Sequence, residues 1–227
     1  MGSMAATKLS FPEPNIALIP LDSPGRSANI LSQPTLKELE EHFNSLESRT
    51  DLHGLVIHSG KPGTFIAGAD LAEFVASMHQ PGDHTAHAEA MCRKGQQLFA
   101  RLELSLWCDR RVASNHPRTE LGLPEVKIGL IPGWGGTVRL PRIAGLGNAV
   151  EMITSGDPVP AVQALGLGIV SSVVASQQLL TAAIHLAKLE HQQKTYIKDR
   201  QRWEKPTKLS PTEMAFLKAT ASAMIGQ

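Results

Sequence analysis

The stretch from Thr119 to Gly147, TELGLPEVKIGLIPGWGGTVRLPRIAGLG, constrains this chain more than any other. An apolar run with Leu121 and Leu123 reaches a single carboxylate, Glu125. A second apolar run follows from Val126 to Ile131. The chain then turns through Pro132-Gly133-Trp134-Gly135-Gly136 into a helix expected over Thr137 to Ile143. A strand-like run, a Gly-rich turn and a helix start together form an α/β crossover of the kind that hosts a site. The glycines let backbone approach backbone or ligand, and the helix start points free N–H groups out of the turn. Set among apolar neighbours, the single carboxylate of Glu125 is a candidate proton donor or acceptor. The competing reading is an ordinary turn beside a surface glutamate.

Composition narrows the partners. A chain of 227 residues fits one domain with a small appendage. Its formal charge of +1 and the lack of a Lys/Arg block argue against nucleic acid or an anionic membrane. Cys92 and Cys108 form no CxxC pattern, which suits a reducing, cytoplasmic setting and argues against a disulfide scaffold or a zinc site. No apolar run is long enough for a transmembrane segment. Met1-Gly2-Ser3-Met4 reads as a cloning scar before a native Met4.

In chain order, Asn15 to Leu21 reads as a strand and Asp22 to Gly25 as a turn. Leu36, Leu39, Phe43 and Leu46 recur at helical spacing after Pro34, through about Ser48. Leu55 to Ile57 is a short buried strand, and Gly60 to Gly63 a loop. Phe65 to Leu71 (FIAGADL) is a run of small residues with two readings: a backbone lining for a pocket, or a tight loop before a helix near Asp70. His84 and His87 share a helix face but lack a carboxylate or cysteine at ligand spacing, so they read as solvated. The periodicity predicts one long helix running from His84 through Leu102 toward Asp109, then a strand-like Arg110 to Ala113. Asp109 ends that helix or pairs with a nearby charge. Helices are expected over Asn148 to Thr154, Pro160 to Leu165 and Ser176 to about His191, with a strand over Ile169 to Val174. Thr195 to Lys205 is an exposed helix or connector. Ser210-Pro211-Thr212-Glu213 carries a capping box ahead of a final helix.

Taken together, Gly63 to Leu71 (GTFIAGADL), Glu103 to Asp109 (ELSLWCD) and Leu121 to Thr137 resemble the crotonase superfamily of enoyl-CoA hydratases and isomerases. Arg139-Leu-Pro-Arg142 and Ala164 to Val170 (ALGLGIV) match as well. The resemblance covers roughly residues 12 to 190. PGWGGTVRLPR and the C-terminal DRQRW and LSPTEMAFL stretches resemble the hydratase half of multifunctional fatty-acid oxidation α-subunits. The resemblance implies an α/β fold, a crotonase-like spiral of ββα units with C-terminal helices. On this reading residues 5–192 form the hydratase core, and residues 193–227 form a helical segment that leads toward a dehydrogenase half.

The implied chemistry is addition of water across the 2,3-double bond of an enoyl-CoA thioester in fatty-acid β-oxidation. Two backbone N–H groups would hold the thioester oxygen as enolate charge develops. By position one donor is Ala69. Glu103 would activate the water and Glu125 would exchange the proton at C2. The backbone of Ala67, Gly68, Ala69, Asp70 and Leu71 would line the acyl-CoA site. No metal or separate cofactor is expected, because coenzyme A is part of the substrate. The expected assembly is a homotrimer or a fatty-acid oxidation complex. A Δ3-Δ2-enoyl-CoA isomerase is the alternative within the same fold. Without the family comparison, Glu103 reads as a surface helix residue and Trp134 as packing at the turn.

One departure bears on mechanism. The family places a buried strand and a Gly-Gly-Gly turn between the helix ending near Leu102 and the Glu103 segment, and that turn supplies the second oxyanion donor. Here Leu102 runs straight into Glu103. Loss of one oxyanion donor typically costs about 10²–10³-fold in rate. A covalent junction would favour a non-catalytic acyl-CoA-binding module, whereas an additional ordered strand there, on the order of twenty residues with its turn and flanks, would restore the hydratase site. Intact-mass measurement with a peptide map across Leu102–Glu103 decides between them. A mass above 24.4 kDa with new peptides would restore the strand and turn, and the hydratase reading would stand; a mass equal to it makes the junction covalent and moves the reading to the binding module.

Overall fold

The computed structural model describes residues 5–66, 68–69, 104–132, 135–206 and 209–225. Its first elements are β1 (Ser10–Glu13), β2 (Ile16–Leu21), β3 (Ile30–Leu31), α1 (Gln33–Glu47), β4 (Gly54–Ser59) and β5 (Gly68–Ala69). Then come α2 (Leu104–Trp107), β6 (Val112–Ser114), β7 (Glu120–Leu121), α3 (Gly136–Ala144), α4 (Leu146–Ser155), β8 (Val159–Pro160) and α5 (Ala161–Gly166). The last are β9 (Ser172–Val174), α6 (Leu179–Gln193), α7 (Thr195–Glu204) and α8 (Pro211–Ile225). Short 3-10 turns occupy Pro124–Ile128 and Ser176–Gln178. No helix among the described residues is long and apolar enough to cross a membrane. The chain divides into two compact units, Met1–Lys94 with Leu180–Gln193, and Gly95–Leu179 with Lys194–Gln227.

The first unit is built on a parallel βαβ step. β2 lies between β1 and β4, so both its edges are paired; Ala17, Ile19 and Leu21 on one face are buried, and Leu18 and Pro20 on the other are half-buried. Ile16, Ala17, Ile19 and Leu21 are buried. Pairing with β4 is parallel and in register from Ile16↔Gly54 to Leu21↔Ser59. Pro20 donates no ladder bond, and it falls between the antiparallel pairs Ser10↔Leu18 and Thr7↔Leu21 on the other edge. The intervening α1 starts as its sequence predicts. The Ser32 side chain accepts from the Thr35 N–H, and Pro34 sits in the first turn. Its inward stripe includes Leu36 and Leu39. Glu38, on the same helix, accepts from the Thr7 N–H and Oγ1, both at 2.8 Å, and so ties the N-terminal segment to α1. The short strand β3 pairs in parallel with β5, with Ile30↔Gly68 and Leu31↔Ala69 in register.

The second unit has a core rich in alanine. Ala113, Ala144, Ala149, Ala161 and Ala164 are buried beside Leu140, Met152, Val159, Ile169 and Val170. Small side chains let helices α3, α4 and α5 approach one another closely, while the branched residues supply the apolar area whose burial stabilises the unit. Strands β6 and β9 pair in parallel, and β7 pairs with β8 in antiparallel register Leu121↔Val159. The final helix opens with the capping box read from its sequence. Glu213 N donates to Ser210 Oγ at 3.2 Å, and Glu213 Oε2 accepts from Ser210 N at 2.8 Å.

Two local expectations change. The apolar run Val126 to Ile131 does not continue a strand. Pro124 cannot serve a ladder, the backbone closes into a 3-10 turn, and Gly129 ends it in the left-handed region at φ 75°. Ile128 and Ile131 are therefore exposed, at 62% and 74%. The Arg101–Asp109 stretch, expected as part of one long helix, holds the short helix α2, which stops at Trp107. Residues 70–103, including His84, His87, Cys92 and the Leu102–Glu103 junction, lie outside the described residues.

Candidate functional site

Glu125 is the sequence-predicted site side chain that the structure describes. It is held by its turn and by what that turn leans on. Its own carbonyl accepts from the Leu130 N–H at 3.0 Å, which caps the end of the 3-10 turn. The strand before it is pinned by the β7–β8 pair and by the Ala161 N–H donating to the Thr119 carbonyl at 3.1 Å. The turn's other side rests on the end of α4. A Cβ built on Gly156 falls 2.8 Å from Val126 Cγ1 and 3.1 Å from Lys127 Cγ, and Gly156 itself has φ 65°. Only glycine satisfies both the contact and the backbone angle. Lys127 Nζ meets Asp157 Oδ1 at 2.7 Å on the surface, a pair worth little by itself.

The Glu125 carboxylate is half-buried. Its Oε2 atom is enclosed and has no hydrogen-bond partner among the described residues. Buried oxygens of carboxylates are ordinarily paired, and one left open suits a group that must take and return a proton.

The segment after α2 is organised by a second buried charge, Arg111, exposed to only 9%. Its Nη1 donates to the carbonyls of Ser105, at 2.7 Å, and Cys108, at 2.6 Å, and its Nε donates to the Ile169 carbonyl. Three carbonyl dipoles directed at one guanidinium offset its desolvation, which draws its pKa down from the ordinary arginine value. Cys108 lies in the same pocket, and burial pushes its thiol up to about 11, too high for a nucleophile at neutral pH. Asp109 pairs with a charge, as one of its two sequence readings had it. Its two oxygens accept from Arg200 Nε at 2.6 Å and Nη2 at 2.8 Å, and Arg110 bonds Asp199 at 2.7 Å. These bonds join α7 to the segment that follows α2.

Of the other site residues read from the sequence, Gly68 and Ala69 are described as the strand β5, held against β3. Ala67, Asp70, Leu71 and Glu103 lie outside the described residues, as does Trp134. Among the described residues no group of three or more His, Cys, Asp or Glu side chains could hold a metal ion. Neither Arg111 nor Gly156 was legible from the sequence. Arg110 and Arg111 are adjacent and identical in type, and only the fold separates the half-buried one from the buried one. Gly156 follows a helix, as C-terminal glycines ordinarily do, so its contact with Val126 has no sequence signature.

The family model described as Enoyl-CoA hydratase/isomerase matches residues 94–205. Among solved structures, Pseudomonas aeruginosa DspI is 29% identical, covers 88% of this chain and 86% of its own, and superposes with a TM-score of 0.72. An enoyl-CoA hydratase from Bacillus anthracis is 27% identical, with 97% of this chain and 90% of that one covered, at a TM-score of 0.72. This chain has the crotonase fold, and its residues 94–205 match the enoyl-CoA hydratase/isomerase family model.

The contact beneath the turn predicts a measurable cost. Gly156→Ala would place a Cβ in the left-handed region, at roughly 1–2 kcal/mol, and press it into Val126, at roughly 1–3 kcal/mol. Urea denaturation should show a loss of roughly 2–5 kcal/mol. An unchanged midpoint would mean that the turn does not rest on Gly156.

Proposed function

We propose that this protein is an enoyl-CoA hydratase, adding water across the 2,3-double bond of an enoyl-CoA thioester. The observation that carries the reading is the Glu125 carboxylate, seated on a clamped turn with one enclosed oxygen that no described residue engages. In the proposed reaction, Glu103 removes a proton from water as the oxygen adds at C3. Electron density passes to the thioester oxygen, which the Ala69 N–H stabilises, and Glu125 delivers the proton to C2. Ala67, Gly68, Asp70 and Leu71 belong to the acyl-CoA site. A role in fatty-acid β-oxidation, as the hydratase half of a multifunctional α-subunit in the cytoplasm, and a trimeric or complexed assembly rest on the resemblance of PGWGGTVRLPR and the C-terminal stretch.

An isomerase that moves the double bond by proton shuttling needs only one carboxylate, so the presence of both Glu103 and Glu125 in the sequence favours the hydratase. A non-catalytic acyl-CoA-binding module is favoured by one observation, the direct Leu102–Glu103 sequence with no Gly-Gly-Gly turn.

Glu125→Gln should lower crotonyl-CoA hydration by about 10²–10⁴-fold, the usual scale of general acid–base catalysis, with little change in KM. Glu103→Gln, assayed separately for hydration and for Δ3-Δ2 isomerisation, should abolish the first reaction selectively. Full hydration in either variant removes that residue from the mechanism. Thioester binding without turnover in the unaltered protein supports the binding module instead.

A further inference from the structure

Asn29 is a polar side chain at 1% exposure, deep in the first unit, and the chemistry proposed above gives it no role. Its amide makes three hydrogen bonds among the described residues. Oδ1 accepts from the Ser23 N–H at 3.0 Å. Nδ2 donates to Ser59 Oγ at 2.9 Å and to the Phe65 carbonyl at 2.9 Å. The partners fix which way the amide faces, because Ser23 N can only donate and Phe65 O can only accept. Each bond reaches a different segment: the turn after β2, the end of β4 and the loop leading to Gly68–Ala69.

The residues beside Asn29 reach the same place by a second route. Ile30 N donates to Ser23 Oγ at 3.1 Å. Ile30 and Leu31 then pair in parallel with Gly68 and Ala69. Ser59 is itself fixed, accepting from the Lys61 N–H and donating to the Lys61 carbonyl, both at 3.0 Å. Two tethers that start at adjacent residues, a side-chain amide at Phe65 and a backbone ladder at Gly68–Ala69, therefore hold a stretch of only five residues from both ends. Stabilising a developing oxyanion requires this kind of fixation, because a donor misplaced by about 1 Å loses on the order of 10²-fold in rate. Burying an amide that ties three separate segments together costs desolvation that ordinary packing would not require.

We propose that Asn29 is a positioning residue for the Ala69 backbone N–H, acting through the Phe65 carbonyl and the β3–β5 pair. The proposal rests on the reading of Ala69 as a donor to the thioester oxygen.

The test uses the full chain and the coenzyme A thioester of para-dimethylaminocinnamic acid, whose absorption band moves to the red as its carbonyl oxygen accepts stronger hydrogen bonds. Measured at saturation, the shift reports polarisation per bound molecule and is insensitive to a partial loss of folded protein. Asn29→Asp keeps the size and the acceptor for Ser23 but removes both donors. It should lose at least about half of the red shift and lower kcat by about 10²-fold, while KM for crotonyl-CoA stays within about threefold. If Asn29→Asp does not fold, Ser59→Ala takes its place. It removes one of the two Nδ2 acceptors and should show a smaller loss of the same kind. An undiminished red shift and kcat, or a rise in KM alone, overturns the positioning role while leaving the hydratase reading intact. A wild-type protein that binds the thioester with no red shift overturns the oxyanion assignment of Ala69, and the role of Asn29 with it.

Discussion

The packing of Val126 against the bare α-carbon of Gly156 fixes the turn that carries Glu125. A carboxylate that exchanges a proton with substrate needs an oxygen not already engaged by a neighbour. The chain places the constraint in the backbone. The 3-10 turn is capped by Gly129 and Leu130, braced from below by Gly156, and entered from a strand pinned to Val159. One carboxylate oxygen is left enclosed and unengaged by any described residue. The alanine-rich core serves the same end, since a rigid α4 is what makes Gly156 a fixed support.

In the first unit a buried amide does comparable work. The parallel pair of β2 and β4 gives a stiff platform, and Asn29 relays its position to the loop before Gly68. Both units thus hold a short segment of the proposed site by contacts to backbone. Such contacts tolerate changes in neighbouring side chains while keeping main-chain atoms in place.

Much of this fold was legible in the sequence because its signals are local. NIALIPL, the Pro34 helix start and the Ser210–Glu213 capping box each depend on residues within a few positions, and each was found where it was read. The two-residue strands β3, β5, β7 and β8 were not legible, since two residues cannot show a period. The run from Val126 to Ile131 misled for a physical reason. Apolar character signals burial only when the backbone can present it to a core, and Pro124 with Gly129 turns Ile128 and Ile131 outward. Asn29 and Arg111 show the opposite failure. Both are polar residues of types that usually face water, and their burial is decided by partners as far away as Phe65 and Ile169. Glu125 itself could be found only as a carboxylate in an apolar setting, and its enclosed oxygen belongs to the tertiary structure.

The central claim is that this chain protonates C2 of an enoyl thioester while water adds at C3. The most direct measurement is the turnover of crotonyl-CoA in deuterium oxide, with the product read by proton NMR. The account predicts 3-hydroxybutyryl-CoA carrying one deuterium at C2, placed on a single face. Crotonyl-CoA that binds and is recovered unchanged would contradict it.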